Sequence, residues 1–271
     1  MNSIPSEGQV TDDGRSGEEE FIRVRFAGGR FDSHAIPFDV LPDLAAYRDL
    51  IVEVAKHLFR EAHGRQRVPK KFEDSFQLGL TQVIRGNSAT ALAEQLDLSV
   101  ADLAGEQHEL GFHYPEFSLA RDMIDRVIRA ANDGGAFPSD FPSEIAGKFN
   151  RFGQGLRAGE RLELSHGNVV PIPYDASTRK RIVLSRNATY EDVLDQEFVL
   201  DGGRLADGIV HRLDEYGARF DFAASSDGEC DRAIKNRRHR VRIIGKGLFD
   251  RQERLTRIVQ CLEIIYVDSE P

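Results

Sequence analysis

The sequence predicts an α+β fold in two parts. The first part is a small antiparallel sheet with helices packed on it, and the second is a small all-β barrel, OB-like in architecture, or a sandwich. Two observations predict this division. Segments with apolar residues at three- and four-residue spacing, which indicate amphipathic helices, lie before Gly153. Beyond Thr178, short apolar segments recur between glycine-containing turns, which is typical of strands.

Composition restricts the class of protein. A chain of 271 residues suits one large domain or two of ordinary size. The formal net charge of −9 and the pI near 5.4 argue against a protein that coats nucleic acid with its whole surface. The two cysteines, Cys230 and Cys261, lack zinc-site spacing and predict no disulfide framework. Since there is neither a membrane-length apolar run nor a secretory signal, we expect a cytoplasmic protein.

The first elements follow an acidic segment. Residues 1–19 are dominated by Ser, Gly, Asp and Glu, a composition that predicts a disordered tail. A strand is predicted at 21–26, where apolar residues alternate with arginines, and a short second strand at 34–38. A hairpin is predicted from two arms, 76–84 and 88–96, because glycine and asparagine in the turn between them tolerate positive φ.

Three helices are predicted in the same part of the chain. The first, at 42–63, has Asp43 as a start signal, Gly64 as a stop signal and one apolar stripe between them. The second is predicted at 117–131, with its own apolar stripe, and the third at 142–152.

Glycine-rich segments between residues 153 and 173 indicate the domain boundary. We predict an α+β domain at 20–165 and a small β-barrel or sandwich domain at 166–271. The strands predicted in the second domain are 181–184, 197–200, 205–213, 219–223, 239–247 and 255–267.

A basic segment in this second domain is the main functional signal of the sequence. Between Arg232 and Lys246 there are seven Lys or Arg and no acid, although the whole chain is acidic. If 239–247 is a strand, three cations share one face while Val241 and Ile243 point into a core. We therefore predict an anion-binding surface, which we call the basic strip, formed by Arg237, Arg238, Arg240, Arg242 and Lys246.

Three interpretations of the basic strip compete. It is a solvated strand face whose arginines pair with nearby acids, a surface that tracks nucleic-acid phosphates, or a surface that binds an acidic protein. The acids expected as partners under the first interpretation are Asp221, Glu229, Asp231 and Asp250.

The sequence predicts no catalytic residue, no metal and no cofactor. His108 and His113 resemble a zincin pair, but they are five residues apart and therefore lie on different faces of a helix. Gly153-Gln154-Gly155 lacks the third glycine of a dinucleotide loop, and no P-loop or nucleophile elbow is present.

The sequence therefore favours a non-enzymatic binding or regulatory protein of a bacterial-type cytoplasm, with nucleic acid as the anionic ligand. A second hypothesis is a protein–protein adaptor or accessory subunit of a multi-gene system such as stress response or phage defence. A third is an enzyme whose site is assembled from residues far apart in the sequence.

Overall fold

The computed structural model describes residues 21–33, 35–85, 89–95, 114–204, 209–213, 217, 219–224 and 226–267. For residues 80–85, 89, 92–95 and 211 it describes the backbone alone. The predicted tail at 1–19 and the pair His108 and His113 lie outside the described residues.

Helices and antiparallel sheets together confirm the predicted α+β class. The first sheet has the strand order β2-β3-β1-β4-β5, and the second has the order β10-β9-β6-β7-β8. The strands of the first sheet are β1 (Ile22–Ala27), β2 (Leu78–Arg85), β3 (Ala89–Gln95), β4 (Arg161–Ser165) and β5 (Ile172–Tyr174). Those of the second are β6 (Tyr190–Arg204), β7 (Ile209–Leu213), β8 (Arg219–Ala223), β9 (Arg240–Phe249) and β10 (Leu255–Tyr266).

Helices cover and connect these sheets. The α-helices are α1 (Leu41–His63), α2 (Glu116–Asp133), α3 (Ala176–Arg186) and α4 (Asp227–Lys235). Short 3-10 helices lie at Gly29–Ser33, Phe38–Val40 and Ser143–Asn150. The predicted helices at 42–63 and 117–131 and the predicted hairpin are therefore confirmed, while the helix predicted at 142–152 is a 3-10 helix.

The first helix follows its sequence signals closely at both ends. Proline stands in its first turn, where a missing N–H has no intrahelical partner to lose, and Gly64 ends it in the left-handed conformation with φ of 58°. Asp43, however, does not cap the helix. Its buried carboxylate accepts a hydrogen bond from the backbone N–H of Gly155, at 3.2 Å to Oδ2, and so joins the start of α1 to the glycine-rich loop.

Two predicted strands are wrong. The segment 34–38 ends within the 3-10 helix at Phe38–Val40, and its described residues belong to no strand. The segment 181–184 lies inside α3, because Asp175 caps this helix by accepting a hydrogen bond from Thr178 N at 2.8 Å. The apolar residues Ile182 and Val183 are buried on a helix rather than on a strand.

One apolar core joins the two sheets. Its buried members include Phe26 and Leu164 on the first sheet and Leu194 and Ile243 on the second. Each such side chain contributes roughly 1.5–3 kcal/mol when fully removed from water. The division between residues 165 and 166 stays a prediction, and β4 and β5 pair with each other across it.

The second sheet places the basic strip. Strands β6 and β9 form a continuous antiparallel ladder from Tyr190 opposite Phe249 to Val199 opposite Arg240. The edge strands β8 and β10 approach within 8 Å at Cα. Among the described residues, no ladder joins these two strands, so a closed barrel is not confirmed.

Candidate anion-binding surface

The basic strip is divided between two structural environments. Arg242 and Lys246 lie within β9, and we call them the strand half. Arg237, Arg238 and Arg240 lie in the turn after α4 and at the start of β9, and we call them the turn half. Different elements therefore position the five residues of the strip.

In the strand half, the predicted alternation of side chains is present. Val241 and Ile243 are fully buried, whereas Arg242 between them is exposed. Arg242 makes a bidentate ion pair with Asp195 of β6, with Nε–Oδ1 at 2.5 Å and Nη2–Oδ2 at 2.6 Å. This ion pair holds the pKa of Asp195 below its ordinary value. The charge of Arg242 is therefore already met by a carboxylate on the neighbouring strand.

Lys246 is also engaged within the protein. Its Nζ donates to Oε1 of Gln154 at 2.8 Å and lies 3.8 Å from Oε1 of Glu191. Gln154 in turn donates from Nε2 to Glu191 at 2.9 Å. Lys246 therefore helps to hold the loop that contains Gln154 against the second sheet, which is a structural role.

Three cations of the strip pair with acids other than those expected from the sequence. Arg242, Lys246 and Arg237 pair with acids of β6. The expected partners are engaged elsewhere: Asp221 with Arg219, Asp231 with Lys235 and Asp250 with Arg254. Sequence reasoning had no signal for the β6 acids, because the register between β6 and β9 joins residues more than 40 positions apart.

A short helix that was not predicted from the sequence, α4, precedes the turn half. Ser226 caps α4 by accepting a hydrogen bond from Glu229 N at 3.2 Å. Serine followed three residues later by glutamate is the pattern of a capping box and was the available signal. Helix α4 ends at Lys235, so the basic segment that follows leaves the C-terminal end of a helix.

Arg238 gives this turn its shape. It has φ of 75°, the left-handed region that costs a non-glycine residue about 1–2 kcal/mol. Two backbone hydrogen bonds to β6 hold it there, from Arg238 N to Leu200 O at 2.7 Å and from Leu200 N to His239 O at 3.0 Å. Residues 237–240 are all exposed on this fixed turn.

The acid that contacts Arg237 lies farther from it than Asp195 lies from Arg242. Arg237 Nη2 lies 3.4 Å from Asp201 Oδ1, in a single long contact between exposed side chains. On the preceding helix, Arg232 stacks on Tyr266, with Cζ at 4.4 Å from the ring centroid. Cations at a helix C-terminus also stabilise that helix through its dipole, so part of this charge has a structural function.

Two buried carboxyl groups, those of Asp43 and Asp125, have different contacts. Burial raises the pKa of Asp43 to about 6 and that of Asp125 to about 7. Asp43 is held by the backbone of the glycine-rich loop, whereas Asp125 Oδ2 lies 3.2 Å from Nε2 of His166. Hydrogen bonds from Arg30 lower the pKa of Glu160 to about 2, and this ion pair fixes the turn after β1.

Within the described part of the chain, no group of three or more His, Cys, Asp or Glu is arranged to hold a metal ion. No helix among the described residues is both long enough and apolar enough to cross a membrane. Comparison with protein-family models, with curated proteins and with solved structures finds no match for this chain.

Proposed function

We propose that the protein is a binding protein that holds the phosphate backbone of a nucleic acid on the turn half of the basic strip. The observation that carries this proposal is the fixed turn 237–240, which presents three exposed arginines within four residues. A left-handed arginine is strained, and strain of this kind recurs at functional sites.

Phosphate recognition explains the choice of residue as well as the charge. Arginine presents a planar fork of donors that matches two phosphate oxygens, and a turn that projects several forks can follow successive phosphates. The contacts would position the chain without reading sequence, because phosphates carry none. Three phosphate contacts predict a slope of about −2 to −3 for log K against log salt.

The test is binding of fluorescein-labelled oligonucleotides, measured by anisotropy at several KCl concentrations. The probes are a single-stranded DNA, a single-stranded RNA and a DNA duplex of equal length. We expect salt-sensitive binding that is weakened by the double substitution Arg237→Ala and Arg238→Ala. The matched control is Arg126→Ala with Arg219→Ala, which removes two exposed arginines paired with acids elsewhere. No binding at low salt, or equal loss in both variants, would contradict the proposal.

A second candidate function, contact with a protein partner, is favoured by the outer strand β10. This edge strand and the residue after it expose four large apolar side chains: Val259, Leu262, Ile265 and Val267, with Leu262 63% exposed. An apolar edge strand is a template for pairing with another chain, and a second copy of the same strand can pair with it antiparallel.

The oligomeric state tests this second candidate. Light scattering after size exclusion should give a dimer for the wild type and a monomer for Leu262→Asp. The control Val193→Asp introduces the same charge at an exposed valine of β6 and should leave the dimer intact. A wild-type protein that is monomeric at high concentration would contradict self-association through β10.

A further inference from the structure

A buried arginine that is not a member of the basic strip lies inside the second sheet. Arg212 is the fourth residue of β7, the strand between β6 and β8, and its backbone lies opposite Leu200 and Phe220. Its exposed fraction is 0%, so the whole guanidinium is removed from bulk water. Arginine is almost never fully buried unless it is paired.

Aromatic rings surround this guanidinium. Its Cζ lies 4.8 Å from the ring centroid of Phe198, 5.6 Å from that of Phe220 and 4.6 Å from that of Phe222. Cation–π attraction stabilises a charge in such a position, and each ring face can also pack against an apolar ligand. The rings supply no lone pair that would accept the N–H donors of the guanidinium.

Among the described residues, one nitrogen of the guanidinium makes a hydrogen bond. Nη1 donates to the backbone oxygen of Phe220 at 3.4 Å. Nε and Nη2 are buried and have no hydrogen-bond partner among the described residues. The N–H of Nε and one N–H of Nη2 point in the same direction, and together they form the side-on fork that a carboxylate binds through both oxygens.

The described surroundings supply no counter-charge in contact with Arg212. Asp221 on β8 is bound to Arg219 at 3.1 Å. Burial raises the pKa of Cys261 to about 11, so this thiol is neutral at pH 7. Burial also lowers the pKa of Arg212 to about 9, which still leaves the guanidinium charged at pH 7. An unpaired buried cation with two unused donors is strongly unfavourable, so binding of an anion there would be favoured.

We propose that Arg212 anchors an internal site for a small organic carboxylate. The carboxylate oxygens accept from Nε and Nη2, and the apolar body of the ligand packs against the rings of Phe198, Phe220 and Phe222. A planar monocarboxylate suits this setting better than inorganic phosphate, because removing a doubly charged phosphate from water into aromatic surroundings costs more. The site does not involve the basic strip.

Benzoate is the probe, because it combines a carboxylate with an aromatic body. Benzamide has the same shape without the charge, and inorganic phosphate has the charge without the apolar body. Thermal unfolding is measured with each compound at constant ionic strength. We expect benzoate to raise Tm by about 2–3 °C at ten times its dissociation constant. Benzamide and phosphate should leave Tm unchanged.

Two variants locate the effect. Arg212→Met replaces the guanidinium by an apolar chain and should abolish the benzoate shift. Arg219→Met changes the exposed arginine that pairs with Asp221 and should keep the shift. A benzoate shift retained in Arg212→Met, an equal shift with benzamide, or no shift in the wild type would overturn the site.

A measurement on the wild type keeps the proposal testable if Arg212→Met does not fold. The Nε–H signal of Arg212, assigned by through-bond NMR correlations, should move on addition of benzoate, while the Nε–H signal of Arg219 should stay in place. An unmoved Arg212 signal would overturn the proposal.

Discussion

The two halves of the basic strip carry the same kind of side chain in different electrostatic settings. Arg242 in the strand half faces a carboxylate at two contacts of 2.5 and 2.6 Å, whereas Arg237 in the turn half makes one contact of 3.4 Å. Charge density along a sequence therefore does not measure the charge that a surface offers to a ligand. That charge also depends on the acids of the neighbouring strand, and β6 places such acids opposite β9.

The largest expected effect is charge reversal in the turn half. Arg237→Glu with Arg238→Glu should weaken oligonucleotide binding by at least about tenfold, because two contacts are lost and two repulsive charges are added. Anisotropy titrations at fixed low salt measure the change. Arg242→Glu alone should weaken oligonucleotide binding by less than about threefold, because salt screens the effect of one exposed charge. Equal losses of affinity in the two variants would show that the turn half and the strand half do not differ in binding.

Removing the acid that pairs with Arg242 should strengthen oligonucleotide binding. Asp195→Asn removes the partner of Arg242 and should strengthen oligonucleotide binding by about two- to fivefold, as one exposed cation becomes available. Asp250→Asn releases Arg254 in the turn before β10 and is the matched control for the change in net charge. If both variants strengthen binding equally, net charge rather than the strip is responsible.

The substitution Arg238→Gly should have opposite effects on stability and on oligonucleotide affinity. Arg238→Gly relieves the left-handed strain and should raise the free energy of unfolding by about 1 kcal/mol. The same change should lower affinity for oligonucleotides, because one cation is lost. Urea unfolding and anisotropy measure the two effects on one preparation. A less stable Arg238→Gly protein would show that the arginine side chain holds the turn.

The smallest expected effect is that of pH on the strand half. The hydrogen-bonded ion pair with Arg242 lowers the pKa of Asp195 below its ordinary value, so this carboxylate stays ionised in the folded protein at mildly acidic pH. Its stabilising contribution is present above the unfolded pKa and is lost only as pH falls through the lower folded value. As pH falls from 8 to 5, the oligonucleotide affinity of the wild type should therefore stay below that of Asp195→Asn. Convergence of the two proteins at pH 5 would show that the pair is weaker than its geometry indicates.

The sequence predicted the local features of the strip and not its long-range partners. A strand has a period of two, so the exposure of Arg242 between the buried Val241 and Ile243 followed from their order alone. Its pairing with Asp195 depends on the β6–β9 register, which no local pattern specifies. The left-handed conformation of Arg238 likewise depends on hydrogen bonds to Leu200, 38 positions earlier in the sequence.

The same distinction holds for the rest of the fold. Helix α1 was predictable because its stripe and its glycine stop are local signals. Helix α3 was missed because its short apolar pair, Ile182 and Val183, fits a strand equally well, and only the cap at Asp175 favours a helix. The fork of Arg212 had no sequence signal, since an arginine within a strand is usually exposed.

The most direct test of the account is the salt dependence of oligonucleotide binding in two double variants. For Arg237→Ala with Arg238→Ala, the slope of log K against log salt should become less negative by about 1.4 to 1.8, as two phosphate contacts are lost. For Arg242→Ala with Lys246→Ala, the slope should equal that of the wild type, because these cations are already paired within the protein. A slope that changes only in the second variant would contradict the assignment of binding to the turn half.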